Sequence, residues 1–424
     1  MSKPTHFILP VVSLVLVVLV VGWIGSERDS VSTPESESAV LKSGLAARSS
    51  GRGPEAAPLR SKSKSTIRQT KQKEPINWKT VTAQLAGMNG RLSEDQVQSY
   101  LRLVEKFNAM SREELISALD EIATLDVPND KSRQILQVLV LGSLCQKDPE
   151  YALTHYFSLM EDQNEGMASR LAIAMKGWAG KNPTAAIAWF EQQIAAGKFA
   201  SKSLDGKSPA RMKFEGSLIV ALNSTDPAAA AARLESLPED QRAESLRGTG
   251  YDIKDEDQLA YANLIRNGLP EEAQTDYFEW QIHIGLREKG YTEITGYLDR
   301  IKATPAERAI CVERAARSKI DELSRNKKVT RQDLDAMREW ATRQAPGTTD
   351  KVTGSALAEA THQLGFPEAA ALATQYHVAS GNDDVLIGFL MAYHPNKDSK
   401  EEARVLAQKI SDVKKREEIL SRFK

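Results

Sequence analysis

The stretch Gly177–Gln192 reads GWAGKNPTAAIAWFEQ, and its pattern stands twice more in the chain, as LCQKDPEYALTHYFSL (Leu144–Leu159) upstream and ALNSTDPAAAAARLES (Ala221–Ser236) downstream. With Asp148, Asn182 and Asp226 as position zero, each is followed by a proline: Pro149, Pro183 and Pro227. An Asx residue before proline is a helix start, because its side chain accepts from an orphan N–H and proline has no N–H to lose at the first helical position. Four positions on stand Ala152, Ala186 and Ala230; five on, Leu153, Ile187 and Ala231; eight on, Tyr156, Phe190 and Leu234. Offsets one, four, five and eight share a helical face. The small residue admits a neighbouring helix and the larger ones fill the space beside it. Four positions before each cap, Leu144, Trp178 and Leu222 end the preceding helix. The pattern therefore predicts helix, tight turn, helix, three times over.

The first two caps are 34 residues apart and the next two 44, the excess fitting an insertion in AGKFASKSLDGKSPAR, residues 196–211. A period near 34 is the size of one helical hairpin, which hides its apolar stripe only by stacking on neighbours. A later echo, GFPEAAALATQYH from Gly365, keeps the proline and alanines with Thr374 where a large residue is expected.

The pattern around these hairpins is helical as well. Capping boxes are predicted at Ser93 with Gln96, Ser111 with Glu114, Thr304 with Glu307 and Ser399 with Glu402. Apolar residues recur at three and four, as in Val97, Tyr100, Leu101, Val104 and Phe107, and no segment alternates with period two. The expected fold is all-α, an α-solenoid over residues 78–424. These residues resemble tetratricopeptide-type repeats: KDPEYALTHYFSLM looks like the second helix of that motif, with Ala152 and Tyr156, then Ala186 and Phe190, at its small and aromatic positions. The first-helix pattern of Trp, Leu-Gly and Tyr is not reproduced, which leaves HEAT-like or Sel1-like hairpins open. The whole plan is also similar to envelope-anchored bacterial helical-repeat proteins to which no activity is assigned. What these resemblances imply is protein or peptide binding along a concave surface.

Residues 1–25 are expected to anchor the chain. Phe7–Ile24 is an uncharged, largely apolar run of 18 residues, and at about 1.5 Å per residue it nearly crosses a hydrocarbon core of about 30 Å. Trp23 and Ile24 at its exit make a poor cleavage site, so the segment reads as an uncleaved span rather than a signal removed on secretion. The short tail carrying Lys3 places the bulk of the chain outside the cytoplasm. Residues 26–77 lack apolar periodicity and read as a polar tether with a coil reach of about 40 Å. Within them Arg60, Lys62, Lys64, Arg68, Lys71 and Lys73 form a basic run, a candidate contact for anionic surfaces or envelope polymers.

The whole chain carries 56 basic and 57 acidic residues, so no overall field draws it to nucleic acid, and no specific nucleic-acid partner is expected. Only Cys145 and Cys311 are present, which excludes a disulfide framework and reads as two buried thiols. The six histidines (His6, His155, His283, His362, His377 and His394) show no metal-ligand spacing, and phosphate-cradling and nucleophile-elbow motifs are absent. Gly248-Thr249-Gly250 reads as a helix end, the acidic pairs Asp255/Asp257 and Asp383/Asp384 as solvated turns, and Asn223 in NST as a formal glycosylation acceptor. The aromatics Trp178, Trp189, Tyr277, Phe278 and Trp280 weigh as core over binding anchors. No catalytic, cofactor or metal residue is assigned; the expected function is a non-enzymatic scaffold.

Overall fold

The computed structural model describes residues 76–78, 80–82, 94–126, 130–160, 165–201, 206–250, 252–285, 290–326, 328–394 and 399–423. Among them the regular structure is helical and no strand occurs. The apolar run Phe7–Ile24, the basic run Arg60–Lys73 and Ser93 lie outside the described residues. No helix among the described residues is long and apolar enough to cross a membrane. The chain divides into two compact units at Ser217 and Leu218.

The first unit holds α1 (Glu94–Asn108), α2 (Arg112–Ala123), α3 (Asp130–Lys147), α4 (Pro149–Tyr156), α5 (Glu165–Ala179), α6 (Pro183–Ala195) and the start of α7 (Pro209–Thr225). Its first-of-pair helices are apolar on nearly every face because neighbours cover them on nearly every face: α3 packs on α1, α2, α4 and α5. The core gathers Phe157, Phe190, Phe199 and Phe214, with Trp189 at its edge and ring centroids 5.0–6.1 Å apart. Phe199 comes from the insertion between the second and third pattern copies, so the extra residues contribute to the core as well as lengthen a loop.

The three Asx-Pro joints are alike in detail. Asp148, Asn182 and Asp226 adopt φ/ψ of −138/78, −145/78 and −151/87, and each side chain accepts from the N–H three residues on. Each cap N–H also closes the last bond of the preceding helix, onto the carbonyls of Leu144, Trp178 and Leu222, while each cap carbonyl accepts from Ala152, Ala186 and Ala230. One residue thus ends one helix and begins the next, and the three alanines are fully buried. A fourth joint of the same backbone shape stands at Ala345-Pro346, with φ/ψ −150/73 and its N–H on the Ala341 carbonyl. The sequence hides it because alanine replaces the Asx cap. The echo at Gly365 is a different structure: φ 74 and ψ 160 make a kink, followed by Pro367, rather than a joint.

The second unit contains α8 (Pro227–Glu235), α9 (Glu239–Leu246), α10 (Gln258–Gly268), α11 (Glu271–Trp280), α12 (Gly290–Arg300), α13 (Pro305–Asn326), α14 (Arg331–Gln344), α15 (Thr349–Ser380, kinked at Gly365), α16 (Asp384–Ala392), α17 (Lys400–Ala407) and α18 (Val413–Arg422). Next-but-one helices pair closely, α13 with α15 above all. Down that seam Glu313 accepts from Lys351 and Ser355, Arg317 donates to Glu359, and Gln363 joins the Ser324 carbonyl to the Val329 N–H. Both helices step forward together, so they run parallel. The first arm of α15 meets α16 backbone to backbone: a Cβ on Gly354 would collide with Val385 O and Phe389 N, and one on Gly388 with Lys351 O. Only glycine at both positions permits that crossing.

Capping boxes form as predicted at Ser111 with Glu114 and at Thr304 with Glu307. Another, Thr330 with Asp333, uses the shorter acid and escapes a search for Glu or Gln. Ser399 makes no capping bond: its hydroxyl accepts from Tyr393 at 2.6 Å, and its backbone is already helical. The side-chain hydrogen bonds between next-but-one helices join residues about one hairpin apart, from Arg422 on the Met391 carbonyl, 31 positions away, to Trp340 on Thr295, 45 away.

Candidate functional site

The third pattern copy differs from the first two at offset five, and a groove opens there. Leu153 is fully buried and Ile187 half-buried, whereas the third copy places Ala231 at this position and leaves space between α8 and α10. The groove has a volume of about 330 Å3, within the range of about 300–1,000 Å3 usual for ligand sites. Pro227, Ala228, Ala231 and Leu234 form one wall, Ala260, Leu264 and Gly268 the other, and Glu235, Asn263 and Asn267 supply polar groups. The walls are parallel: Asn223 Nδ2 donates to the Asp257 carbonyl at one end, and at the other Gly268 lies so close to Leu234 that a Cβ would strike it. Asn263 Oδ1 accepts from Arg266, whose guanidinium makes a two-point pair with Glu307 and also reaches the Ile301 carbonyl. Burial alone would raise the Glu307 carboxyl; Arg266 and the Thr304 N–H outweigh it and hold the group below the usual carboxylate range.

The richest cluster of titratable side chains lies where α14, α15 and α16 meet. Arg338 donates to Thr353 at 2.7 Å and to Asp350 at 2.8 Å, Asn382 donates to Asp350, and the Tyr376 hydroxyl donates to Asp335. Arg338 and Arg331 stand 4.8 and 5.4 Å from the Tyr376 ring centre, within cation–π range. Asp383 accepts from the N–H groups of Ser411 and Asp412, and His377 Nδ1 lies 2.7 Å from the Asn382 carbonyl. Burial pushes the Tyr376 phenol up and Asp335 pushes it further; at Asp383, burial raises the carboxyl but the two N–H groups and His377 bring it below its ordinary value. The cluster fastens the start of α18 to the α15–α16 turn. Asp383 is therefore a half-buried brace, correcting the expectation of a solvated turn.

Among the other sequence-selected residues, Cys145 and Cys311 are both buried, and burial pushes the Cys145 thiol up to about 12. Tyr277, Phe278 and Trp178 are core residues, while Trp189 and Trp280 are half-buried. Asn223 is 2% exposed and its amide is spent on Asp257, so its NST triplet presents no accessible acceptor. Asp255 lies on an exposed turn beside Arg300, and Gly248 and Gly250 follow the end of α9. Asp148 is more than a cap: it also pairs with Arg112, whose guanidinium lies 4.3 Å from the Tyr151 ring centre. No group of three or more His, Cys, Asp or Glu arranged to hold a metal occurs among the described residues. Sequence reasoning missed the groove, though its signal was present: one small residue where the other two copies carry a large one. Comparison of the chain with family models, with curated proteins and with solved structures gave no match in any of the three.

Proposed function

We propose that the helices from Glu94 onward stack as an α-solenoid, and that the protein is a non-enzymatic, membrane-anchored scaffold taking a protein or peptide partner in the groove between α8 and α10. Bonds between next-but-one helices that span roughly one hairpin, 35 positions from Asn108 to Ser143 and 44 from Ser169 to Lys213, support the solenoid, since in such an array each hairpin touches its neighbours. The observation that carries the binding role is the groove itself, an apolar floor of small residues with two amides and a carboxylate at its edge. The anchor rests on the sequence of Phe7–Ile24 and the outside location on the tail before it.

A photoactivatable residue placed at Ala228 or Ala260 in the native cell tests this reading. Discrete protein adducts that disappear when Ala231→Phe fills the groove are expected. Absence of adducts from both positions, with crosslinks arising instead from the Arg60–Lys73 run to envelope polymer, would overturn it in favour of an anionic-surface binder.

A further inference from the structure

Resting on the reading of the groove as a partner site, we propose that its occupant is a cationic peptide segment, one whose lysine or arginine stems lie along the floor with their heads at the α8/α10 C-terminal mouth. Three features of the groove converge on positive charge. First, α8 and α10 run parallel, so the carbonyl ends of both helices, which accept hydrogen bonds, lie on the same side of the groove. Second, three exposed carboxylates have no partner among the described residues: Glu235 on the wall itself, Glu239 four positions beyond it at the start of α9, and Glu271 three positions beyond Gly268 at the start of α11. Third, the surrounding sequence is acidic, with 12 Asp and Glu against 5 Lys and Arg from Arg233 to Glu279.

The cations of that stretch are largely engaged. Arg266 is paired with Glu307, Arg247 with Glu244, and Lys254 with Glu256. Arg242 donates to the carbonyls of Glu235 and Leu237, so the end of α8 already attracts a guanidinium from within the chain. The floor of Ala228, Ala231, Ala260 and Leu264 suits a methylene stem, which lies on apolar surface while its charged head stays in water. An acidic segment would meet like charge and two helix C-termini at once. A neutral apolar segment would bury a floor of small residues and leave the carboxylates unused.

Binding of fluorescent 14-residue peptides to the full chain tests the proposal, one of alternating Lys and Ala, one of Glu and Ala, and one of Ser and Ala. The Lys/Ala peptide is expected to bind, the other two to bind at least tenfold more weakly. Binding should fall at least tenfold in the triple variant Glu235→Gln, Glu239→Gln, Glu271→Gln and disappear in Ala231→Leu. Equal binding of all three peptides, abolished by Ala231→Leu, overturns the charge preference and leaves the groove as a binding site. Lys/Ala binding that Ala231→Leu does not change is surface attraction outside the groove and overturns the proposal. If no peptide binds, the adducts from Ala228 and Ala260 separate the two readings: present, only the cationic occupant is wrong; absent, the groove reading falls with it.

Discussion

The seam between α3 and α5 and the seam between α13 and α15 join next-but-one helices, yet they are built from opposite chemistry. The first is mainly apolar, with Leu136, Leu141, Leu144 and Leu171 fully buried and a single buried cation, Arg170 of α5, lying against Gly142 of α3. The second is lined by ions and amides, the half-buried Glu313, Arg317 and Glu359 with the exposed Lys351 and Gln363. An apolar seam gains about 25 cal/mol per Å2 buried. A polar seam gains little in net energy but fixes register, since each side chain left without its partner costs desolvation. The first seam therefore supplies stability and the second supplies alignment, beside a crossing at which two helices touch through bare backbone.

The sharpest way to break this contrast is at that crossing. Gly388→Val should destabilise the second unit by more than about 3 kcal/mol, because backbone on the facing helix has nowhere to move; a urea midpoint within error of the parent would show that α15 and α16 do not cross at Gly354. Next come the ions. Arg317→Met or Glu359→Met alone should each cost about 1–3 kcal/mol, and the double replacement markedly less than the sum, as a matched apolar pair restores the seam. Strict additivity in a double-mutant cycle would mean the pair contributes no register.

The caps should have smaller and mutually similar effects. Asn182→Ala and Asp226→Ala are each expected to cost about 1 kcal/mol. Asp148→Ala should cost more, since it also removes the ion pair with Arg112. Equal losses at all three in thermal melts would reduce Asp148 to a cap alone. The smallest effect is on pH dependence. Asp148, Glu307 and Asp383 all sit below their ordinary values when folded. Their contribution is complete above the unfolded pKa of about 4 and is lost as pH falls through the lower folded values. Glu307→Gln should thus lower stability at neutral pH and flatten the acid side of the stability curve; an unchanged acid slope would show that its pairing with Arg266 is weak.

How far the sequence reached depends on whether a feature is local. Asp148-Pro149, Asn182-Pro183 and Asp226-Pro227 were legible because cap and proline act within one turn. Ala345-Pro346 was not, since its backbone shape is imposed by packing with no side chain to announce it. The Gly354–Gly388 crossing and the Asp383 brace join residues 34 and roughly 30 positions apart, a distance at which composition carries no signal. The groove was legible in principle, through Ala231 beside Leu153 and Ile187. It was missed because a small residue in an alanine-rich helix reads as more of the same.

The joints at Asp148, Asn182 and Asp226 contain no spare residue between helices. In the first unit these joints alternate with longer connections, between α4 and α5 and between α6 and α7, and the ten-residue insertion has entered the second of those. Growth, proteolytic nicking and grafted tags are accordingly confined to every second link, while the links between them behave as rigid elbows that pass a rotation of one helix directly to the next.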